Sequence, residues 1–248
     1  MLHACLRPQT PRPGLSVIRL YSKKIKGLQF PEPPTKEHNS RASFLEYATR
    51  TGLDSASTVY HGTLYEYTVQ ESLHRFGMNL QRSGGAFDKG IDLVGTWSIP
   101  QFRKPLKIIV SCKVQGKTTQ TGPRLIRELE GSFAGAPPGW REPGVLGFFV
   151  APKAATKGMR DTLGRSRWPM GCAMCSSDGI ITQLLWNQTA SECGLGHLGV
   201  GIRYTGHNPP QTEVVLMWKG EAIASRENNI VDPDLKSEPE NGTSGDNA

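Results

Sequence analysis

Long apolar runs are missing from this chain. No stretch comes near the roughly 18 consecutive apolar residues of a membrane-spanning helix, so no segment reads as one. Cysteine is scarce: five in 248 residues, an odd number without a framework spacing. That argues for reduced thiols and against a secreted disulfide scaffold. Acidic residues are absent from the beginning, where no Asp or Glu precedes Glu32. There is no internal repeat, which excludes solenoid and propeller architectures.

What is present is positive charge, unevenly placed. The chain carries +7, with +3 in residues 1–21 and −4 in residues 222–248, which leaves +8 for the middle. A basic core fits a polyanionic partner such as nucleic acid, and equally a basic protein with a solvated positive face. The N-terminal segment, rich in Arg and Ser and poor in acid, reads as a mitochondrial transit peptide over residues 1–21, with Arg19-Leu20-Tyr21-Ser22 as the cleavage region. Residues 22–52 read as a linker broken by the prolines of FPEPPTKEHNS, residues 53–221 as the folded domain, and residues 222–248 as a polar acidic tail without a packed core.

Inside the domain, periodicity predicts a helix over 63–76 closed by Gly77, strands over 78–82, 91–97 and 106–115, a helix over 123–133 and a strand over 145–150. A helix over 156–164, a strand over 170–175, a helix or strand over 180–186 and strands over 200–204 and 214–218 follow. Strands followed by alternating helices and strands predict an α/β (α+β) domain, a mixed sheet flanked by helices.

Three residues sit where their type is costly. Asp92 opens a predicted strand, with Ile91, Leu93 and Trp97 expected on one face and Asp92, Val94 and Thr96 on the other. Lys113 lies in the most apolar strand, LKIIVSCKVQ, sharing a face with Ser111 and Gln115. Glu66 falls along the apolar stripe of Val69, Leu73 and Phe76. Each has an ordinary reading as a turn cap, an edge-strand lysine or a stripe-margin acid. Together they match one need: carboxylates to hold a Mg²⁺ or Mn²⁺ ion and a lysine to stabilise charge while a phosphodiester is hydrolysed. Asp92, Glu66 and the backbone carbonyl of Cys112 would be the metal ligands.

GGAFDKGIDLVG (84–95) followed by IIVSCKVQ (108–115) resembles the restriction-endonuclease-like PD-(D/E)xK superfamily in its Mrr-type branch. With YEYTVQESLHRFGMNLQRS, RELEGSF and LLWNQTA, the chain over about 60–220 also resembles the fungal mitochondrial "required for respiratory growth protein 7" family. The resemblance implies a mixed sheet flanked by helices, Asp92 as metal-binding aspartate, Lys113 as catalytic lysine, Glu66 as helix glutamate, and DNA as the partner. One departure bears on activity. Ser111 stands two residues before the lysine, where the superfamily carries an acid or Gln, and a neutral side chain supplies no second charge. The implied alternatives are a weakened endonuclease and an inactive nucleic-acid-binding or scaffold protein.

Lys89, Lys117, Arg124, Lys157 and Arg160 are the candidate phosphate contacts, with Arg127, Lys153, Arg165 and Arg167 beside them. Cys172, Cys175, Cys193 and His197 have a spacing open to zinc, but MGCAMC alternates like a strand, which sends Cys172 and Cys175 opposite ways and favours buried free thiols. Residues 194–199 spell G-x-G-x-x-G, yet they precede a strand instead of opening a helix and read as a loop.

Overall fold

The computed structural model describes residues 28–83, 90–114, 122–205 and 211–223. The predicted transit peptide, the centre of the 84–95 motif with Asp88 and Lys89, Gln115 and Lys117, and all but the first two residues of the predicted tail lie outside them.

Two N-terminal helices, α1 (Arg41–Thr51) and α2 (Thr58–His74), lead into a six-stranded sheet: β1 (Met78–Arg82), β2 (Leu93–Trp97), β3 (Leu106–Cys112), β4 (Leu146–Ala151), β5 (Met170–Cys175) and β6 (Ile181–Trp186). The strands lie side by side in chain order. The β1–β2–β3 meander is antiparallel, β3–β4 and β4–β5 are parallel, and β6 returns antiparallel. Each parallel step requires a crossover, supplied by α3 (Pro123–Gly135) and α4 (Lys157–Arg165). A short helical turn, α5 (Gln188–Ala190), continues through Ser191–Leu195 to a second sheet of β7 (Leu198–Thr205), β8 (Gln211–Trp218) and β9 (Glu221–Ala222).

Strand alternation sends the core to both sides of the sheet. On one face Val69 and Leu73 of α2 and Val214 and Leu216 of β8 pack over Leu93, Trp97, Ile108, Val110, Phe148 and Val150. On the other, Ile126, Leu129 and Phe133 of α3 and Met159 and Leu163 of α4 cover Val94, Ile109, Phe149 and Cys172. Two glycines mark the closest approaches. A Cβ on Gly95 would lie 2.1 Å from the Asn79 carbonyl oxygen, and one on Gly147 would lie 2.6 Å from the Phe133 ring.

The mixed sheet flanked by helices agrees with the sequence expectation, and residues 180–186 resolve to a strand. Several boundaries differ: β3 ends at Cys112, so Lys113 lies past the strand, and β7 and β8 begin earlier than expected. Three further differences have a clear local cause. The stretch read as linker contains α1, whose start is fixed by a reciprocal Ser40/Ser43 capping box and whose Phe44 is buried against α2. Helix α2 begins five residues earlier than predicted, with Ser57 as its N-cap. Strand β2 begins at Leu93, so Ile91 precedes the pleat and joins the α3 face instead of sharing the face of Leu93 and Trp97.

Candidate functional site

The charged candidates gather where β1 ends, β2 begins and β3 ends. Arg82 pairs with Leu93, which pairs with Val110, so the register carries these positions side by side across the sheet.

Asp92 is buried and acts on the backbone. Its amide donates to the Val110 carbonyl at 2.9 Å, and its Oδ2 accepts from the Cys112 amide at 2.6 Å. The reason is the ladder itself. Successive amides on a strand point to opposite edges. The Lys113 amide donates to Val150 of β4 at 3.0 Å, so the Cys112 amide faces β2, at the point where β2 has not yet begun. The carboxylate stands in for the missing backbone acceptor, and a buried amide goes satisfied.

Glu66 lies over this corner on α2. Its Oε2 accepts from the Arg82 guanidinium, and each side chain keeps only 14% exposure. Arg82 also donates to Thr63 Oγ1 at 3.3 Å and stands 5.9 Å from the Tyr67 ring centroid. Tyr67 donates its hydroxyl to the His38 carbonyl at 3.1 Å and shares a 2.8 Å hydrogen bond with His38 Nδ1. Burial above all, with the Arg82 charge second, lowers the His38 pKa, while Glu37 works in the opposite sense. One polar chain therefore runs from Glu66 through Arg82 and Tyr67 to the residues preceding α1.

Ser111 is buried and pairs with Phe149, a residue of the α3 face. Glu66 belongs to the opposite, α2 side. Lys113 is half-buried just past β3, and among the described residues it forms no ion pair with Asp92 or Glu66. All three charges still reach one point. Burial first, then the negative charges of Asp92 and Glu66, push the Cys112 thiol well up, and Lys113 pulls it down. Asp92, Glu66 and Lys113 are thus neighbours of Cys112, but Asp92 and Glu66 are each committed to a partner.

One Asp92 oxygen is engaged by an amide, Glu66 is neutralised by Arg82, and Ser111 is neutral. Among the described residues no three His, Cys, Asp or Glu side chains group to hold a metal ion. The described residues do not by themselves fit Mg²⁺ or Mn²⁺, which favours several oxygens at one point.

Of the basic candidates, Arg124 is exposed and pairs with Glu128 at 2.7 Å. Lys157 is exposed at the start of α4, and Arg160, also exposed, donates to the Ala155 carbonyl. The β4–β5 crossover, 152–169, contains Lys153, Lys157, Arg160, Arg165 and Arg167 against a single acid, Asp161, and all six are exposed. Pro123 Cγ would lie 3.0 Å from a Cβ on Gly158, so the start of α3 adjoins the start of α4.

Cys172 and Cys175 fall in opposite cores, as their strand spacing predicts, and burial raises their thiol pKa values to about 12 and about 11. The glycine motif opens no helix: Gly194, at φ 136°, ends the helical segment after α5, Gly196 lies in a turn, and Leu198 and Gly199 already belong to β7.

Two residues of evident structural weight escaped the sequence reading. Arg82 looked like an ordinary terminal residue of an alternating strand. Asn187 is a five-bond clasp. Its Oδ1 accepts from Met170 and Ala190 amides, and its Nδ2 donates to the carbonyls of Leu163, Ser166 and Trp168, tying α4, β5 and α5 together. The signal available was its place in LLWNQTA, an Asn after a strand and before a helical turn, where N-caps occur.

The sequence profile of the family described as "Required for respiratory growth protein 7" matches residues 57–105 and 99–203, a span that includes the whole corner of Glu66, Arg82, Asp92 and Lys113. The chain belongs to that family. An uncharacterised mitochondrial protein of Schizosaccharomyces pombe is 34% identical over 71% of this chain and 70% of its own length. Proteins named "Required for respiratory growth protein 7, mitochondrial" from Eremothecium gossypii and Zygosaccharomyces rouxii are 33% and 29% identical, over 36% and 47% of this chain. The chain spans about half of the first of these relatives and 64% of the second. No solved structure matches the chain. Among the described residues no helix is long and apolar enough to cross a membrane.

Proposed function

We propose that this protein works in mitochondria in support of respiratory growth, and that it does so by binding nucleic acid on a restriction-endonuclease-like frame without cutting it. The observation that carries the reading is the ion pair of Glu66 with Arg82. A guanidinium occupies the carboxylate that a catalytic cation would need, in a chain whose other expected acid is Ser111. What the frame retains is an exposed, predominantly basic run on the β4–β5 crossover, suited to phosphate contacts that release counterions. The mitochondrial address rests on the basic, acid-free N-terminus and on the names of the relatives.

A second reading keeps the chemistry. Asp92 and Lys113 lie at the same end of the sheet, and Asp88 and Lys89 belong to the same motif outside the described residues. On that reading the protein is a metal-dependent endonuclease of mitochondrial DNA. One experiment separates the two. The purified full chain is incubated with labelled DNA in Mg²⁺ or Mn²⁺, beside Asp92→Asn and Lys113→Ala, and both binding and nicking are scored. Salt-sensitive binding without nicking supports the first reading. Nicking by wild type that both variants abolish supports the second. Absence of binding at low salt removes the first.

A further inference from the structure

The crossover that carries the basic run ends in an aromatic residue whose placement is unusual. Trp168 keeps 44% of its surface in solvent, although two cores were available to bury it. Its indole stacks on the Phe133 ring, with centroids 4.7 Å apart and planes 23° apart. Phe133 is itself buried, and it reaches this position because Gly147 of β4 leaves room for its ring. One face of the indole is therefore backed by a buried ring, and 44% of the side chain stays accessible.

The backbone beneath Trp168 is held from several directions. Its amide donates to Ser166 Oγ at 3.1 Å, and its carbonyl accepts from Asn187 Nδ2 at 2.8 Å. The next carbonyl, Pro169, accepts from the Gly147 amide at 2.9 Å. Pro169 further restricts its predecessor to extended backbone. An exposed tryptophan anchored this firmly loses little freedom when something is laid on it. Arg165 and Arg167 precede it closely in the chain, both exposed, and Arg160 lies more than one helical turn before Arg165 on α4.

A flat π-surface beside guanidinium groups matches the chemistry of a single strand, whose unpaired bases stack while its phosphates pair with cations. A duplex offers the phosphates but keeps its bases stacked on one another. We propose that Trp168, backed by Phe133 and preceded by the exposed Arg165 and Arg167, is a stacking platform for a base of single-stranded nucleic acid. The proposal rests on the nucleic-acid-binding reading given above and names its substrate class.

The test uses the full chain with fluorescent oligothymidylate and oligouridylate, and a duplex of the same length, at low and moderate salt. Variants are Trp168→Ala, Trp168→Leu and Trp168→Phe, with thermal melts to establish folding. Leucine keeps the apolar cover over Phe133 and removes the stacking plane. The strand is expected to bind more tightly than the duplex. Trp168→Leu should weaken strand binding roughly 5- to 150-fold, which is the range for loss of one base–aromatic stack, and Trp168→Phe should retain most of it. Duplex binding should change little in any variant. Folded Trp168→Leu that binds the single strands as wild type does would overturn the platform while leaving nucleic-acid binding intact. A wild-type chain that binds neither strand nor duplex would overturn the underlying reading, and the platform with it.

Discussion

Removing the Arg82 guanidinium is the sharpest probe of the corner. Arg82→Met preserves much of the aliphatic stem and deletes the charge, the contact with Thr63 and the cation over Tyr67. Glu66, whose side chain is 14% exposed in the intact pair, then loses the guanidinium. Breaking one side of a fully buried ion pair costs about 3–5 kcal/mol because the remaining charge is stranded. Partial solvent access at this site lowers that to about 2–4 kcal/mol. For a chain of this size the corresponding drop in melting temperature is roughly 5–15 °C. The companion variant Glu66→Gln, Arg82→Met removes the carboxylate charge together with the guanidinium, so it should recover to within about 1 kcal/mol of wild type. Urea denaturation followed by circular dichroism measures both variants. If Arg82→Met lies within about 0.5 kcal/mol of wild type, or the double variant costs as much as the two single changes added, the ion pair does not organise this corner.

Acidification should destabilise the α1–α2 contact. Burial lowers the His38 pKa below its usual 6.5, so between that value and the lowered one the unfolded chain binds the proton more readily. Stability should therefore be complete above about pH 6.5, fall as pH drops through the lowered pKa, and then level; His38→Gln should flatten that slope in melts across the range. Replacing Asn187 with Leu leaves the Met170 and Ala190 amides without their side-chain acceptor and removes three donations, a loss of about 3–5 kcal/mol in denaturant titration. Gly95→Ala should be far more damaging than Gly147→Ala, because its Cβ meets an immovable backbone oxygen and the other meets a ring that can shift for about 1–3 kcal/mol; expression and melting of the two variants compare them. Asp92→Asn should be tolerated structurally, within about 1–2 kcal/mol, because its amide oxygen can still accept from Cys112, whereas Asp92→Ala strands that amide.

Legibility followed the range of the interactions. The turns and strands around β3, β4, α3 and α4 could be read because their burial repeats within the segment, and Thr156 as the N-cap of α4 is a local signal. Helix α1 could not. It buries only Phe44 and Ala48, follows a proline-broken stretch, and owes its place to a cap and to Tyr67 from another helix. Glu66 was legible as an acid on an apolar stripe, but its partner lies sixteen residues away on a strand that reaches it only because β1 packs beneath α2. The costly position of Asp92 was likewise visible, and only the β2–β3 register reveals that an amide two strand positions past Val110 requires it.

The sequence alone determined the class of fold, the basic middle, the opposite facing of Cys172 and Cys175 and the identity of the unusual residues, because composition and period 2 or 3.6 act within one segment. Tertiary structure decided what those residues do. Pairing partners come from distant segments, and whether a buried carboxylate is available for chemistry depends on which amide or guanidinium the fold brings to it. Here the fold brings Cys112 to Asp92, Arg82 to Glu66, and Phe133 beneath Trp168.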